Sequence, residues 1–298
     1  MSTSLSKPIP AKILLFGEHT ILRGSRALAM PLWSRSCSWQ QGGSSTQQKG
    51  LRSLFSFLEN NFTYHFDLAR YVTDLDKGWY LASDIPVGYG LGSSASVCVA
   101  IFEHYATPYG KNALAETGPK AYFAQMESHF HGTSSGTDPL IIYERQSLAL
   151  SPDGQFEFVE IPPLKDGWHL FLLDTQKARE TGPIVNYFTH RYDTDEQFRT
   201  ATDTQWTPAT DRAIAALLQA DEENLSTAFR KISQFQLDEL PPMVLPSLHE
   251  VWRAGLNSGT YLLKICGAGG GGYCLGLTQD WEGTQRAVAP WSAEVIEW

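Results

Sequence analysis

Pro86-Val87-Gly88-Tyr89-Gly90-Leu91-Gly92-Ser93-Ser94-Ala95-Ser96 is the stretch on which the reading of this chain depends. It lies between Trp79–Ile85, a short run that reads as a strand, and Ala95–Tyr105, an apolar run that reads as a helix. Glycines at 88, 90 and 92 let backbone N–H groups approach a ligand with no Cβ in the way. Serines at 93 and 94 stand at the mouth of the helix as caps. The open N–H groups of that first turn, together with the helix dipole, favour an anion. The loop reads as a phosphate cradle. It is not a P-loop, because no Gly-Lys-Ser/Thr follows. It is not the dinucleotide fingerprint either, because Gly88 and Gly90 are followed by Gly92 and then by Ser93. On composition alone an ordinary turn fits equally well.

Two further segments decide between these readings. Near the start stands Ala11-Lys12-Ile13-Leu14-Leu15-Phe16-Gly17-Glu18-His19-Thr20-Ile21-Leu22-Arg23-Gly24, and near the end Lys264-Ile265-Cys266-Gly267-Ala268-Gly269-Gly270-Gly271-Gly272. In this order the three segments resemble the signature segments of the GHMP kinases, the family named for galactokinase, homoserine kinase, mevalonate kinase and phosphomevalonate kinase. Within it the first segment is most similar to the mevalonate kinase branch, which opens on a Lys-(apolar)-Phe/His-Gly-Glu-His phrase. Galactokinases continue past Gly-Glu-His-Thr with an acidic residue and Tyr-Asn, which are absent after Thr20.

Composition fits that resemblance. At 298 residues, 42% apolar and 18% charged, the chain has room for two domains, with a boundary expected near Ile161-Pro162-Pro163, giving 1–163 and 164–298. A net charge of −9 argues against non-specific binding to nucleic acid or to an anionic membrane. An acidic protein that binds an anionic nucleotide must gather its few cations at the site, and Lys12, Arg179 and Lys264 are the candidates. Cys37, Cys98, Cys266 and Cys274 form no Cys-x-x-Cys pair. With no leader-like run, free thiols in a reducing cytoplasm are expected. The apolar runs fall far short of the ~20 residues that span a bilayer. The histidines form no metal set. His129-x-His131 comes nearest, but on a helix the two point well apart. The partner expected is a small-molecule substrate, with the protein a monomer or homodimer.

The coarse organisation is α+β. Ile13–Phe16 and Ala27–Met30 read as strands, and Ser38–Lys49, rich in Gln, Ser and Gly, as an exposed hairpin or loop. Apolar spacing predicts helices over Gly50–Asn60, Pro119–His131, Asp211–Ala220, Glu223–Gln236 and Pro246–Asn257. Leu140–Tyr143 and Trp168–Leu173 read as strands, as do the flanks of the last glycine run. The resemblance implies the GHMP kinase fold, an N-terminal domain like ribosomal protein S5 domain 2 meeting a ferredoxin-like C-terminal domain across an active-site cleft.

On the helix Pro119–His131, Phe123, Glu127 and Phe130 share one stripe, so Glu127 falls among aromatics, where a carboxylate needs a partner or a metal. Asp138 follows in Ser135-Gly136-Thr137-Asp138, where Gly136 allows a sharp turn and Pro139 is expected to keep Asp138 out of helical geometry. Read by themselves, Glu127 fits the edge of the stripe and Asp138 a local cap. The resemblance implies more: ATP and Mg²⁺ as cofactors, Ser94 and Glu127 as metal ligands, Asp138 as the catalytic acid/base or an electrostatic anchor, and Lys12 beside it as a second catalytic residue. It also implies that Gly88, Gly90, Leu91, Gly92, Ser93, Ser94 and Ala95 cradle the ATP phosphates, and that Glu18, His19, Gly269 and Gly270 meet the acceptor. The phrase Asp174-Thr175-Gln176-Lys177-Ala178-Arg179-Glu180-Thr181 is similar to the Asn-Thr-Lys-x-x-Arg-x-Thr phrase of mevalonate kinases, which makes Thr175 and Arg179 acceptor contacts. There are departures. The family's Gly-x-Pro-Ser-Gly-x-Asp-Asn has Ser134 in place of its proline and Pro139 in place of its asparagine, and Arg23 stands where Tyr or His is common. The activity implied is transfer of a phosphoryl group to mevalonate. The alternatives are phosphomevalonate kinase, diphosphomevalonate decarboxylase, and a non-catalytic binding protein on the same fold.

Overall fold

β1 (Ile9–Phe16) and β2 (Ala27–Gln41) open the chain, joined by a turn that contains one short 3-10 helix, Thr20–Arg23. The structure, a computed structural model, describes residues 7–165, 167–179 and 181–298. They form two compact units. One takes the chain up to Lys12, Pro31–Pro86 and Gly92–Arg145, and the other takes Ile13–Met30, Val87–Leu91 and Gln146–Trp298.

In the first unit β2 runs well past the expected Met30. Cys37 and Trp39 alternate with more exposed residues, the period of a half-buried strand, and Trp39 donates from Nε1 to the Ala100 carbonyl at 3.2 Å. α1 (Ser45–Asn61) then starts at a capping box, in which the Ser44 backbone N–H donates to Gln47 Oε1 at 2.9 Å and the Gln47 N–H to Ser44 Oγ. Ser38–Lys49 is therefore not a loop but the end of a strand and the start of a helix, because its polar residues serve alternation and capping. α2 (Leu68–Asp76) leads to β3 (Trp79–Ser83), which pairs antiparallel with β2 from Cys37↔Ser83 to Gln41↔Trp79.

α3 (Ser93–Tyr105), α4 (Pro108–Thr117), α5 (Pro119–His131) and α6 (Thr137–Glu144) complete the unit. α6 replaces the strand expected at Leu140–Tyr143. Its run Leu140-Ile141-Ile142 is buried on all sides, which suits a short core helix as well as a strand. Pro139 does not hold Asp138 outside the helix. It occupies the third helical position, where a missing N–H leaves no bond unmade, and Asp138 sits in the same first turn. On α5 Tyr122, Phe123, Met126 and Glu127 are buried, while Phe130, expected on that stripe, is 38% exposed near the helix end.

In the second unit β4 (Ser147–Leu150) pairs with Ala27–Ala29 of β2 and with β5 (Phe156–Val159), both antiparallel. β6 (His169–Asp174), α7 (Thr181–Thr194) and α8 (Glu196–Ala201) follow. A π-helical turn at Thr202–Trp206 leads into α9 (Thr207–Leu218), α10 (Glu222–Glu239) and α11 (His249–Ser258). The chain closes with β7 (Tyr261–Ile265), β8 (Tyr273–Thr278), α12 (Trp281–Ala287) and β9 (Ala293–Val295). β7-β8-β6-β9 form an antiparallel sheet whose central register sets Leu172 against Leu275 and Leu263 against Gly276. α10 anchors this sheet through buried Gln236, whose Oε1 accepts from the Ile265 N–H at 2.8 Å. The four cysteines are buried, and none is joined in a disulfide. No helix among the described residues is long and apolar enough to cross a membrane.

Candidate active site

In the first unit the N-terminus of α3 is built on Gly92, which takes a left-handed conformation at φ 74°. A Cβ there would lie 2.9 Å from Lys12 Cγ, so glycine lets the lysine stem cross the helix mouth. The serines do not cap this helix. No side chain caps it, and the first N–H to bond back within it is that of Ser96, to the Gly92 carbonyl at 2.8 Å. The first-turn amides of Ser93, Ser94 and Ala95 thus keep the anion-binding character of a helix N-terminus.

Lys12 carries its ammonium from this crossing to Asp138, with Nζ 2.9 Å from Oδ2. The side chain of Lys12 is 9% exposed and that of Asp138 39%, so the pair has a buried base and an open end. Gly136, left-handed at φ 70°, caps α6, and its N–H donates to Ser134 Oγ at 2.9 Å. Ser134 in turn donates to Glu127 Oε2 at 2.5 Å, while Ser94 Oγ donates to Glu127 Oε1 at 2.8 Å. His131 Nε2 lies 3.0 Å from Ser94 Oγ. Burial pushes the Glu127 carboxyl above its usual range, and the negative charge of Asp138 adds to that. The two serine hydroxyls and His131 pull the other way.

Glu127 and Ser94 therefore present hard oxygen donors side by side, next to a second carboxylate. A buried carboxylate held only by hydroxyls gains from a cation. The donor set would suit a hard cation such as Mg²⁺, with Ser94 and Glu127 as the residues that would hold it. Among the described residues there is no cluster of three or more His, Cys, Asp or Glu side chains suited to a metal.

In the second unit the glycine run is shaped by its neighbours. The Gly270 N–H donates to the Met243 carbonyl at 2.6 Å and the Gly272 N–H to the Lys177 carbonyl at 2.7 Å. Thr175 Oγ1 donates to the Gly272 carbonyl at 2.7 Å. Arg179 Nη1 donates to the Cys266 carbonyl at 2.6 Å, and the Arg179 N–H to the Gly88 carbonyl at 3.2 Å. Its guanidinium passes so close to Gly90 and Gly267 that a Cβ on either would fall 1.8 and 2.4 Å from Nη2. Gly88–Leu91 and the glycine run are thereby clamped on one arginine.

His19 holds an unusual left-handed backbone at φ 60°. Its Nε2 donates to the Ala268 carbonyl at 2.9 Å, and its ring packs on Phe188 with centroids 5.0 Å apart. Burial, with smaller contributions from the charges of Arg179 and Lys264, lowers its pKa to about 4, so the ring is neutral at pH 7. Lys264 is not a cation open to a nucleotide. It is buried against Glu18, with which it forms an ion pair, and it also donates to the Leu15 carbonyl at 2.9 Å and the Ile265 carbonyl at 2.8 Å. Burial raises the Glu18 carboxyl, against the pull of the Lys264 charge. Glu180 of the Asp174–Thr181 phrase lies outside the described residues.

Residues 57–145 match the family model described as the GHMP kinases N terminal domain. A mevalonate kinase of Pyrococcus horikoshii is 28% identical to this chain, over 94% of this chain and 89% of its own length. Over its N-terminal domain the chain is thus similar to the GHMP kinases, and its relatives place it among phosphotransferases with an alcohol group as acceptor. Solved structures share its fold. The L. major mevalonate kinase in complex with R-mevalonate superposes with a TM-score of 0.64 at 18% identity, covering 97% of this chain and 93% of that one. The Lactococcus lactis galactokinase complexed with galactose gives 0.66 at 16% identity, covering 97% and 92%. At these identities the likeness carries the GHMP fold and does not discriminate between acceptors.

Sequence reasoning does not reach two residues of the first-unit cluster. His131 was set aside as incidental because its spacing from His129 suits no metal, yet one turn past Glu127 on α5 it reaches Ser94. Ser134 was noted only as a departure from the family's proline, and its hydroxyl meets the Glu127 carboxylate. The signal was available in the spacing, since Ser134 stands at the foot of the turn that links Glu127 to Asp138.

Proposed function

We propose that the protein is an ATP- and Mg²⁺-dependent kinase that phosphorylates the hydroxyl of mevalonate. The observation that carries the chemistry is the Lys12–Asp138 ion pair, in the same unit as the Ser94–Glu127 oxygen pair and an uncapped helix N-terminus. The first-turn amides of α3 would hold phosphate oxygens, and Ser94 and Glu127 would hold Mg²⁺, which when bound offsets charge on the phosphates. Asp138 takes the proton of the acceptor hydroxyl as its oxygen attacks the γ-phosphorus and ADP leaves. Lys12, its ammonium 2.9 Å from Asp138, holds that carboxylate in place and offers positive charge to the transferring phosphoryl group. Recognition of the acceptor is assigned to Arg179, whose planar guanidinium suits a carboxylate, and to the backbone of Gly269–Gly270. Glu18, His19 and Thr175 would act by shaping the run that these groups belong to.

The relatives named mevalonate kinase support the choice of acceptor, as does the lack of an acidic residue with Tyr-Asn after Thr20. The test is ADP release measured side by side with mevalonate, phosphomevalonate, diphosphomevalonate, homoserine and galactose, with CO₂ captured. Mevalonate should give the highest kcat/KM, one ADP per phosphomevalonate and no CO₂. A clearly higher value with any other acceptor, or CO₂ release, overturns the assignment.

A further inference from the structure

Ser134 links one carboxylate of the first-unit cluster to the turn that carries the other. Its Oγ donates to Glu127 Oε2 and accepts the Gly136 N–H, which belongs to the cap of the helix bearing Asp138. A hydroxyl offers one donor and two acceptor lone pairs, and here both kinds are engaged. The remaining Glu127 oxygen, Oε1, is left to Ser94. A carboxylate with one oxygen fixed cannot rotate about its terminal torsion without breaking that bond, so the hydrogen bond sets where the other oxygen points. A proline at 134 could shape the turn but could not donate to Glu127.

We propose that Ser134 is a positioning residue for the divalent cation, holding Glu127 so that Oε1 and Ser94 Oγ face one ion, and tying that carboxylate to the turn that places Asp138. This rests on the assignment of Ser94 and Glu127 as metal ligands. Groups that orient a metal ligand typically change metal affinity by ~10–100-fold when removed.

The experiment is a double-mutant cycle on Mn²⁺ binding, read by electron paramagnetic resonance on the full chain, with and without a non-hydrolysable ATP analogue. Ser134→Ala and Ser134→Pro should each weaken Mn²⁺ on the order of tenfold. Ser134→Thr, which keeps the hydroxyl, should restore affinity. In the Glu127→Gln background Ser134→Ala should have almost no further effect. If Glu127→Gln weakens Mn²⁺ but Ser134→Ala does not, or if Ser134→Ala weakens it equally in both backgrounds, the positioning role is wrong. If Glu127→Gln itself leaves Mn²⁺ affinity unchanged, the ligand assignment fails first and takes this proposal with it. Thermal midpoints of all variants separate either result from loss of fold, because a purely structural serine would move stability without the coupling to Glu127.

Discussion

The polar side chains of the first unit's cluster mostly meet one another, while those of the second mostly meet the main chain. Lys12 pairs with Asp138, and Ser94 and Ser134 flank Glu127. In the second unit His19, Thr175 and Arg179 donate to the carbonyls of Ala268, Gly272 and Cys266, and Lys264, besides its pair with Glu18, to those of Leu15 and Ile265. Side chains that face each other across a partly open space can exchange protons and hold ions. Side chains bound to carbonyls fix the course of a backbone. Under the proposed function the two motifs do different work: the first would supply reacting groups, while the side chains of the second fix the course of the glycine run.

The comparison breaks most readily at the Glu18–Lys264 pair. Both partners are buried, so Glu18→Gln leaves an uncompensated ammonium, with an expected loss of about 3–5 kcal/mol in urea denaturation. Adding Lys264→Met should recover much of that loss, since removing both charges leaves none unpaired. A Glu18→Gln protein of unchanged stability would remove the scaffolding role.

A smaller effect should appear at His19. The unfolded state takes up a proton near pH 6.5, whereas the folded ring does so only at about 4. Stability is therefore full above pH 6.5 and is lost as pH falls from there toward 4, by about 3 kcal/mol over the whole window. In His19→Gln, which can still donate to the Ala268 carbonyl, the thermal midpoint should fall less between pH 7 and pH 4.5. Equal slopes for the two proteins would show that the ring titrates freely, and would weaken the contrast between the units.

The meeting of Lys12 with Asp138 and of Ser94 with Glu127 was legible because such pairings depend on residue type and order. Lys12, the glycines at 88, 90 and 92, Ser94, Glu127 and Asp138 stand in motifs whose spacing the backbone must respect. Short apolar runs were less legible. Leu140–Tyr143 suits a strand or a buried helix equally until tertiary packing chooses. Ser38–Lys49 looked like a loop because its composition was weighed ahead of its alternation and its Ser44-x-x-Gln47 cap. Lys264 was counted among cations for phosphate because sequence does not reveal that Glu18, 246 positions away, neutralises it. Long-range pairing of this kind is fixed by the fold and leaves no local trace.

The central claim is that Asp138 takes part in the chemistry and not in the architecture. It is tested most directly by single-turnover phosphoryl transfer from ATP to mevalonate in Asp138→Asn. Because Asp138 is partly exposed, the variant should keep its unfolding free energy to within about 1 kcal/mol. Its transfer rate should fall by roughly 10²–10⁴-fold with ATP still bound. A folded Asp138→Asn protein that transfers the phosphoryl group at a near wild-type rate would contradict the account.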